Sequence, residues 1–211
     1  MYKYKMSVVH KKSGFLEVIF GPMFSGKTTA LLEIYKQCLF CNIPVSIINH
    51  ASDTRYHDTL VSTHDKITAP CIQSSKLGDV WFPNEQMEPK DGYVYKSHCS
   101  LRHADVILIN EGQFFTDLYD VVVDMLKHKK KIYVGGLDGD FERKKFGQIL
   151  DLIPICDNVR KITSLCSLCK DGTRGIFSMR LTSETEQTVV GSDNYIPVCR
   201  DCYDNNYSEE H

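Results

Sequence analysis

The sequence has no hydrophobic stretch approaching the roughly 18 residues that a membrane span requires, so we expect no membrane partner. It also has no run of five or more Lys or Arg residues, and its formal net charge is -2 at pH 7, so polymeric nucleic acid is not an expected partner. The Lys-rich segment from Met1 to Lys12 is not followed by the apolar h-region of a signal peptide, so we expect a cytoplasmic protein. Nine cysteines in such a protein favour reduced thiols and metal ligation over disulfide bonds.

Short apolar runs and helical periodicity alternate along most of the chain, which is typical of an α/β fold. Apolar runs too short for helices occur at Phe15–Phe20, Val45–Asn49, Asp105–Asn110 and Lys131–Gly135. Helical patterns lie between them at Lys27–Cys41 and Thr116–His128. Because a helical segment separates successive strands, the sequence predicts a parallel sheet.

The first predicted strand is followed directly by GPMFSGKT, which matches the phosphate-binding pattern G-x-x-x-x-G-K-[ST] and opens a helix. In such a P-loop, backbone N–H groups and the positive end of the helix dipole surround phosphate oxygens. Lys27 reaches the β- and γ-phosphates, and the Thr28 hydroxyl ligates Mg²⁺. The pattern predicts a P-loop NTPase-like sheet with ATP contacts from Gly21, Pro22, Met23, Phe24, Ser25, Gly26, Lys27 and Thr28.

Glu111 follows a predicted buried strand and therefore lies at the carboxyl edge of the sheet, where open α/β folds bind ligands. A carboxylate at this edge can accept the proton of a hydroxyl group that attacks the γ-phosphate. Glu111 is thus a candidate catalytic base. The alternative is a solvated glutamate at a strand end with no catalytic role.

Two C-x-x-C pairs, Cys166/Cys169 and Cys199/Cys202, are separated by enough chain for hairpin strands to bring them together. Four thiolates satisfy a tetrahedral Zn²⁺ and leave no open position for water, so the predicted zinc site is structural. The redox alternative requires a helix directly after a C-x-x-C pair, and neither pair is followed by a helical pattern.

A third C-x-x-C pair, Cys38 and Cys41, needs a different interpretation. It falls within the helix that follows the P-loop, where residues three apart share one face. We therefore predict that both thiols are buried on the apolar side of that helix and hold no metal.

The pattern of the chain changes after about residue 160, where short β-like pieces replace the longer elements. We expect a nucleotide-binding domain over residues 1–160, a zinc-binding β module over 161–204 and a disordered tail over 205–211. Residues 50–103 form a long polar region that is interpreted in part as a loop or lid.

The P-loop and the cysteine pairs occur together with several longer motifs. These are GPMFSGKTT at 21–29, DTRY at 53–56, THD at 63–65, EGQFF at 111–115, LDGDFERKKFG at 137–147 and YIPVCRDCY at 195–203. In this order they make the chain resemble the type II thymidine kinases, cellular and viral, over nearly all of Phe15–Tyr203. The resemblance implies a kinase that transfers phosphate from ATP to the 5′-hydroxyl of thymidine, and also of deoxyuridine.

The resemblance also implies roles for single residues. Glu111 matches the family's proton acceptor, and Lys27 and Arg55 complete the expected catalytic set, with Arg55 clamping developing negative charge. Asp53 joins Thr28 as a candidate Mg²⁺ ligand. The ATP site would further include Thr54, Asn110 and Gln113.

For the nucleoside, Phe141 matches the residue that packs on the base, and Met23 and Leu137 line the same pocket. The segment 188–195 matches the lasso loop that closes over the nucleoside, with Val189, Val190, Gly191 and Tyr195 as candidate contacts. Tyr195 could instead support the zinc module. The resemblance also implies a homotetramer that is inhibited by thymidine triphosphate.

Three features depart from the family pattern: the residue before Glu111, the single glycine Gly191 in the closing loop where two are usual, and the length of residues 50–103. Asp usually precedes the catalytic Glu, whereas Asn110 keeps the shape of that side chain without its charge, which leaves Asp53 and Thr28 to hold Mg²⁺. A P-loop hydrolase is a rival interpretation, but the guanine-reading N-K-x-D motif and a basic nucleic-acid track are both absent from the sequence. A zinc-ribbon binding module with a vestigial nucleotide site is opposed by the intact Lys27 and Glu111.

Overall fold

A computed structural model describes residues 13–53, 60–62, 66–82, 101–187 and 194–207. Its centre is a six-stranded sheet in which every pair of neighbours is parallel, with strand order β5-β2-β6-β7-β1-β8. The strands are β1 (Phe15–Phe20), β2 (Val45–His50), β5 (Ile72–Ser74), β6 (Val106–Asn110), β7 (Lys131–Gly136) and β8 (Asn158–Lys161). The predicted α/β fold with a parallel sheet is confirmed.

Two layers cover the sheet because side chains alternate between its faces along each strand. Helix α1 (Lys27–Phe40) packs through Leu31 and Leu32 on one face, together with Ile47 of β2. The next residue of β2, Ile48, belongs to the core on the other face. That core includes helices α2 (Leu77–Trp81) and α3 (Leu118–Lys127) and the 3₁₀ helix Ile149–Ile155.

The region 50–103, interpreted in part as a loop or lid, contains short strands and a helix among its described residues. Strands β3 (Leu60–Ser62) and β4 (Thr68–Pro70) form an antiparallel pair that packs beside α1, and β5 extends the central sheet. Each of these strands has three residues, which is too short for an alternating pattern to be recognised in the sequence.

A smaller unit follows β8. It contains the antiparallel pairs β9 (Ser164–Leu165) with β10 (Arg174–Gly175) and β11 (Phe177–Arg180) with β12 (Tyr195–Val198). Helix α4 (Arg200–Tyr207) closes the unit and extends three residues into the segment predicted to be a disordered tail. Among the described residues, this unit has its own apolar core around Val198 and Tyr203.

Within the described ranges, no helix combines the length and apolar character that a membrane crossing needs.

The prediction for the two thiols of α1 is half confirmed. Cys38 is buried, but Cys41 is exposed because the helix ends at Phe40 and Cys41 caps its carboxyl end.

Candidate functional site

The predicted P-loop connects β1 to α1 and carries the conformation that the motif requires. Gly26 has φ 86° directly before the first residue of α1, a left-handed conformation that favours glycine. A Cβ atom on Gly26 would meet nothing within 4 Å, so the backbone here borders open space. A Cβ atom on Gly21 would lie 2.0 Å from the Ile162 carbonyl oxygen, so any larger residue would displace the chain that follows β8.

Lys27 lies over the loop that precedes it. Its Nζ donates to the carbonyl oxygens of Gly21 at 3.1 Å and Pro22 at 2.6 Å. Ser25 Oγ also donates to the Pro22 oxygen, at 2.8 Å. A phosphate oxygen is a stronger acceptor for an ammonium group than a neutral carbonyl, so this lysine can exchange loop carbonyls for phosphate.

A chain of polar side chains runs along the carboxyl edge of the sheet beside the loop. Thr28 Oγ1 donates to Asn110 Oδ1 at 3.3 Å, and Asn110 Nδ2 donates to Asn49 Oδ1 at 2.8 Å. Asn49 Nδ2 donates to Asp53 Oδ2 at 3.2 Å. The structure thus brings the predicted Thr28, Asn110 and Asp53 together through Asn49, which the sequence analysis missed.

Glu111, the candidate base, directly follows β6 and has a left-handed backbone conformation with φ 55° and ψ 41°. A residue other than glycine pays an energetic cost to adopt this conformation, and such strain often occurs at functional sites. Gln113 Nε2 donates to Glu111 Oε2 at 2.7 Å, and the Leu137 N–H donates to Gln113 Oε1 at 3.0 Å. Buried Gln113, predicted as an ATP contact, therefore links Glu111 to the segment after β7.

His50 lies near Glu111 and was not singled out by the sequence. Its ring centroid is 4.7 Å from that of Phe115 and 5.4 Å from that of Phe114. Burial lowers the pKa of His50, although the carboxylates of Glu111 and Asp117 act in the opposite direction. A neutral imidazole is therefore favoured beside the carboxyl edge of the sheet. Phe115, predicted to be ordinary core, is fully buried.

Phe141, the predicted partner of the base, has one ring face covered by Arg180. The guanidinium carbon lies 3.6 Å from the centroid of the ring. Arg180 also donates to the Tyr195 hydroxyl, from NH2 at 2.6 Å and from Nε at 3.2 Å. The same guanidinium donates to the carbonyl oxygens of Glu184 at 2.7 Å and Gln187 at 3.2 Å. Arg180, absent from the sequence predictions, thus joins Phe141, Tyr195 and the chain that precedes the lasso.

Two further hydrogen bonds connect the segment around Arg180 to the turn that carries Phe141 and to the P-loop. Gln187 Nε2 donates to Asp140 Oδ2 at 2.8 Å, which attaches residues before the lasso to the turn that carries Phe141. The Met23 N–H donates to Ser178 Oγ at 2.9 Å, which connects the P-loop to β11. The remaining predicted contacts lie outside the described residues: Thr54, Arg55, Val189, Val190 and Gly191.

The four cysteines of the two C-x-x-C pairs form one cluster. Their Sγ atoms all lie within 4.8 Å of one another, and Cys169 Sγ is 3.8 Å from that of Cys199 and 3.4 Å from that of Cys202. Sulfur ligands about 2.3 Å from a tetrahedral Zn²⁺ are separated by about 3.8 Å, so the donor set fits this ion. The Cys199 N–H donates to Cys166 Sγ at 3.3 Å.

The protonation of the cluster is consistent with metal ligation. Burial alone would raise the pKa of Cys166, but backbone N–H groups of Cys169, Cys199 and Leu168 lower it to about 6. Hydrogen bonds to Cys169 and Cys199 raise the pKa of Cys202. Thiolates this close repel one another, so a cation bound among the four sulfur atoms would stabilise the charged forms that ligation needs.

One premise used against a redox role is wrong. The second C-x-x-C pair is followed by a helix, because α4 begins at Arg200 and contains Cys202. Asp and Asn in RDCYDNNY are weak helix formers, which hid the helix from the sequence pattern. The redox alternative is disfavoured instead by the clustering of all four sulfur atoms.

Comparison with known proteins gives consistent matches over this whole region. A sequence model described as thymidine kinase matches residues 14–203. Thymidine kinase a of Arabidopsis thaliana is 39% identical over 197 residues, covering 92% of this chain and 77% of the plant protein. Thymidine kinase 1 of Dictyostelium discoideum is 35% identical over 207 residues, covering 96% and 83%. The thymidine kinase of Yaba monkey tumor virus (strain VR587) is 35% identical over 196 residues, covering 92% and 97%.

Proposed function

The chain belongs to the thymidine kinase family, and on this premise we propose that it transfers the γ-phosphate of ATP to the 5′-hydroxyl of thymidine. Deoxyuridine is a second proposed acceptor. The observation that carries the proposal is the position of Glu111 on the same sheet edge as the P-loop, held by Gln113. The hydrolase and vestigial-site interpretations are not favoured. The family match covers the P-loop, the segment that contains Glu111 and the two C-x-x-C pairs together.

The P-loop supports binding of the triphosphate. Backbone N–H groups at the start of α1 and the Lys27 ammonium offer positive charge to the β- and γ-phosphates. Arg55, which lies outside the described residues, is proposed to stabilise charge that develops on the transferred group. Transfer then depends on holding the acceptor hydroxyl in line with the γ-phosphate.

Glu111 is proposed as the base. Its carboxylate accepts the proton of the 5′-hydroxyl as that oxygen forms its bond to phosphorus and the bond to the β-phosphate oxygen breaks. The hydrogen bond from Gln113 fixes one carboxylate oxygen, Oε2. A positioned carboxylate is more effective than a mobile one because less of its motion must be lost in the transition state.

Thr28 and Asp53 are proposed to hold Mg²⁺. A hydroxyl and a carboxylate are the oxygen donors that this ion prefers, and three hydrogen bonds link the two side chains along one edge of the sheet. When bound there, Mg²⁺ neutralises charge on the phosphates. Zn²⁺ bound by Cys166, Cys169, Cys199 and Cys202 is proposed to be structural, because four thiolates leave no position for a substrate.

The base of the nucleoside is proposed to pack on the face of Phe141 opposite Arg180. Met23 and Leu137 would complete the pocket, and the lasso residues Val189 to Gly191 would close it. The 1–160 and 161–204 division is retained as a proposal, with the nucleoside bound where the two parts meet. The buried hydroxyl of Tyr195 is engaged with Arg180, which supports an indirect role for Tyr195 in closing the pocket.

The acceptor is tested with γ-labelled ATP and a panel of thymidine, deoxyuridine, deoxycytidine, deoxyadenosine and deoxyguanosine. We expect label to be transferred to thymidine and deoxyuridine, because both present the same pyrimidine edge to the closing loop. A hydrolase would instead release labelled phosphate at an equal rate without any nucleoside. Failure to label thymidine would reject the proposed acceptor.

Arg180 gives a test of the base-binding site. Changing Arg180 to Gln removes the cation from the face of Phe141 and weakens its bonds to the chain before the lasso. Hydrogen bonds to a charged group are worth about 1.5–3 kcal/mol, so the KM for thymidine should rise by roughly tenfold or more while the KM for ATP stays nearly constant.

The matched control is Arg143→Gln. The Arg143 guanidinium also covers an aromatic ring, at 4.3 Å from Tyr203, but it pairs with exposed Asp204 and not with the lasso region. This control should keep the wild-type KM for thymidine. Equal effects of the two substitutions on both KM values would mean that Arg180 has only a general structural role.

Assembly and regulation are proposed from the family alone. We propose a cytoplasmic homotetramer that is inhibited by thymidine triphosphate and has no polymeric nucleic-acid partner, consistent with the net charge of -2. Sedimentation measurements with and without ATP would measure the oligomeric state. Inhibition that thymidine relieves competitively would support binding of the triphosphate at the nucleoside site.

A further inference from the structure

Asn49 and Asn110 form a buried pair at the carboxyl edge of the sheet. They occupy matched positions on the neighbouring strands β2 and β6, and their exposed fractions are 1% and 2%. One hydrogen bond joins the two side-chain amides, and each amide makes a further bond outside the pair, to Thr28 or to Asp53. Asn49 is therefore the middle of a chain that begins and ends at the two proposed Mg²⁺ ligands.

The order of donors and acceptors along this chain of hydrogen bonds is fixed at its Asp53 end. A carboxylate oxygen accepts hydrogen bonds and cannot donate them, so Asn49 must present its NH₂ group to Asp53. The Asn49 carbonyl then faces Asn110, which must present its own NH₂ group in return. This leaves the Asn110 carbonyl facing Thr28, and the Thr28 hydroxyl must be the donor.

The direction matters for metal binding because an amide has nearly the same shape when its oxygen and nitrogen are exchanged. If Asn110 turned over, its NH₂ group would face Thr28 Oγ1 and occupy a lone pair that a cation needs. A carboxylate at position 110 would accept from Thr28 with either oxygen, so its orientation would not matter. Because position 110 carries an amide, the neighbouring side chain of Asn49 decides whether oxygen or nitrogen faces Thr28.

We propose that Asn49 is a positioning residue that selects the orientation of the Asn110 amide, and so directs the Thr28 hydroxyl to donate and keeps its oxygen lone pairs for Mg²⁺. Asn49 itself contacts no substrate. The inference rests on the proposed Mg²⁺ site of the P-loop, and it extends the set of residues that serve this site to a strand that the P-loop motif does not include.

The proposal is tested by a double-mutant cycle with Mn²⁺ in place of Mg²⁺. Mn²⁺ binding is measured by electron paramagnetic resonance on the full chain with ADP present, for wild type, Asn49→Ala, Asn110→Asp and the double variant. We expect Asn49→Ala to weaken Mn²⁺ binding by about tenfold or more, the usual scale for residues that orient metal ligands. In the Asn110→Asp background the same change should cost less than about twofold, because a carboxylate at position 110 needs no orientation.

Two further variants separate this effect from general damage. Ser46→Ala removes a buried polar group from the same strand without touching the chain and should keep wild-type Mn²⁺ affinity. Asn49→Ser is compared where Asn49→Ala does not fold, since its side chain is too short to span both neighbours. Thermal unfolding of each variant is measured beside the binding.

The outcome is independent of the nucleoside acceptor, since no thymidine is present. Wild-type Mn²⁺ affinity in a folded Asn49 variant overturns the proposal. The proposal is also overturned if Asn49→Ala weakens Mn²⁺ binding equally in the wild type and in the Asn110→Asp background. If thymidine is not phosphorylated but the cycle behaves as expected, only the proposed acceptor is rejected.

Discussion

Replacing Glu111 with Gln is expected to lower the kcat for thymidine phosphorylation by about 100-fold or more, the usual contribution of a positioned proton acceptor. Gln has nearly the same volume, and its amide oxygen can still accept the hydrogen bond that Gln113 donates. The left-handed backbone at position 111 is therefore expected to be retained. What is lost is the ability to take the proton of the 5′-hydroxyl.

The effect should fall on kcat, with the KM values for ATP and thymidine changed by no more than about threefold, as expected for an interaction made in the transition state. Steady-state kinetics with each substrate varied in turn measures this. Glu142→Gln is the control, because that exposed glutamate pairs with Lys144 and not with Gln113, and its substitution should leave kcat unchanged. A loss of less than about tenfold for Glu111→Gln would show that another group takes the proton.

The central sheet could be predicted from the sequence because its strands are continuous apolar runs. The bounds of Phe15–Phe20 agree with the structure, and those of Val45–His50 and Lys131–Gly136 differ by one residue. Strand β8, Asn158–Lys161, was missed because it lies at the edge of the sheet and is mostly exposed. Its sequence therefore lacks the apolar signal of a buried parallel strand.

The site could be predicted only where a residue belongs to a recognisable motif. Lys27, Thr28 and Glu111 follow from local patterns, and the cysteine cluster follows from spacing. Arg180 could not be found in this way, because it acts through contacts with Phe141 and Tyr195 that are distant in sequence. A buried arginine at the end of a short strand has no local signature.

Asn49 illustrates the same limit on the opposite side of the site. Its position at the end of a predicted strand placed it at the sheet edge, and a parallel neighbour at Asn110 could have suggested the pair. The strand order was the missing information, since β2 and β6 are separated by more than 50 residues of chain but lie side by side. Resemblance to the family did not help, because Asn49 lies outside the motifs that carry the resemblance.

Removing one zinc ligand is expected to have the largest effect on stability. Among its described residues, the C-terminal unit has a small apolar core of four buried members, Cys166, Val198, Cys199 and Tyr203, and two of them are proposed ligands. Binding of a structural zinc contributes about 10–16 kcal/mol in small zinc-dependent units, far more than such a core can supply. Cys202→Ser should therefore abolish the bound zinc, about one per chain in the wild type, and loosen β11 and β12.

Metal analysis and hydrogen exchange measure the two parts of this prediction. Amide exchange should rise in Phe177–Arg180 and Tyr195–Val198, while the fluorescence of Trp81, the single tryptophan, should change little because it reports on the core beneath the central sheet. Cys41→Ser, which removes an exposed thiol outside the cluster, is the control and should keep its zinc.

Thymidine binding should weaken together with the exchange protection of β11, because Arg180 reaches both Phe141 and Tyr195 from that strand. Loss of zinc without faster exchange in β11 and β12 would contradict the structural role, since the unit would then keep its structure without the metal.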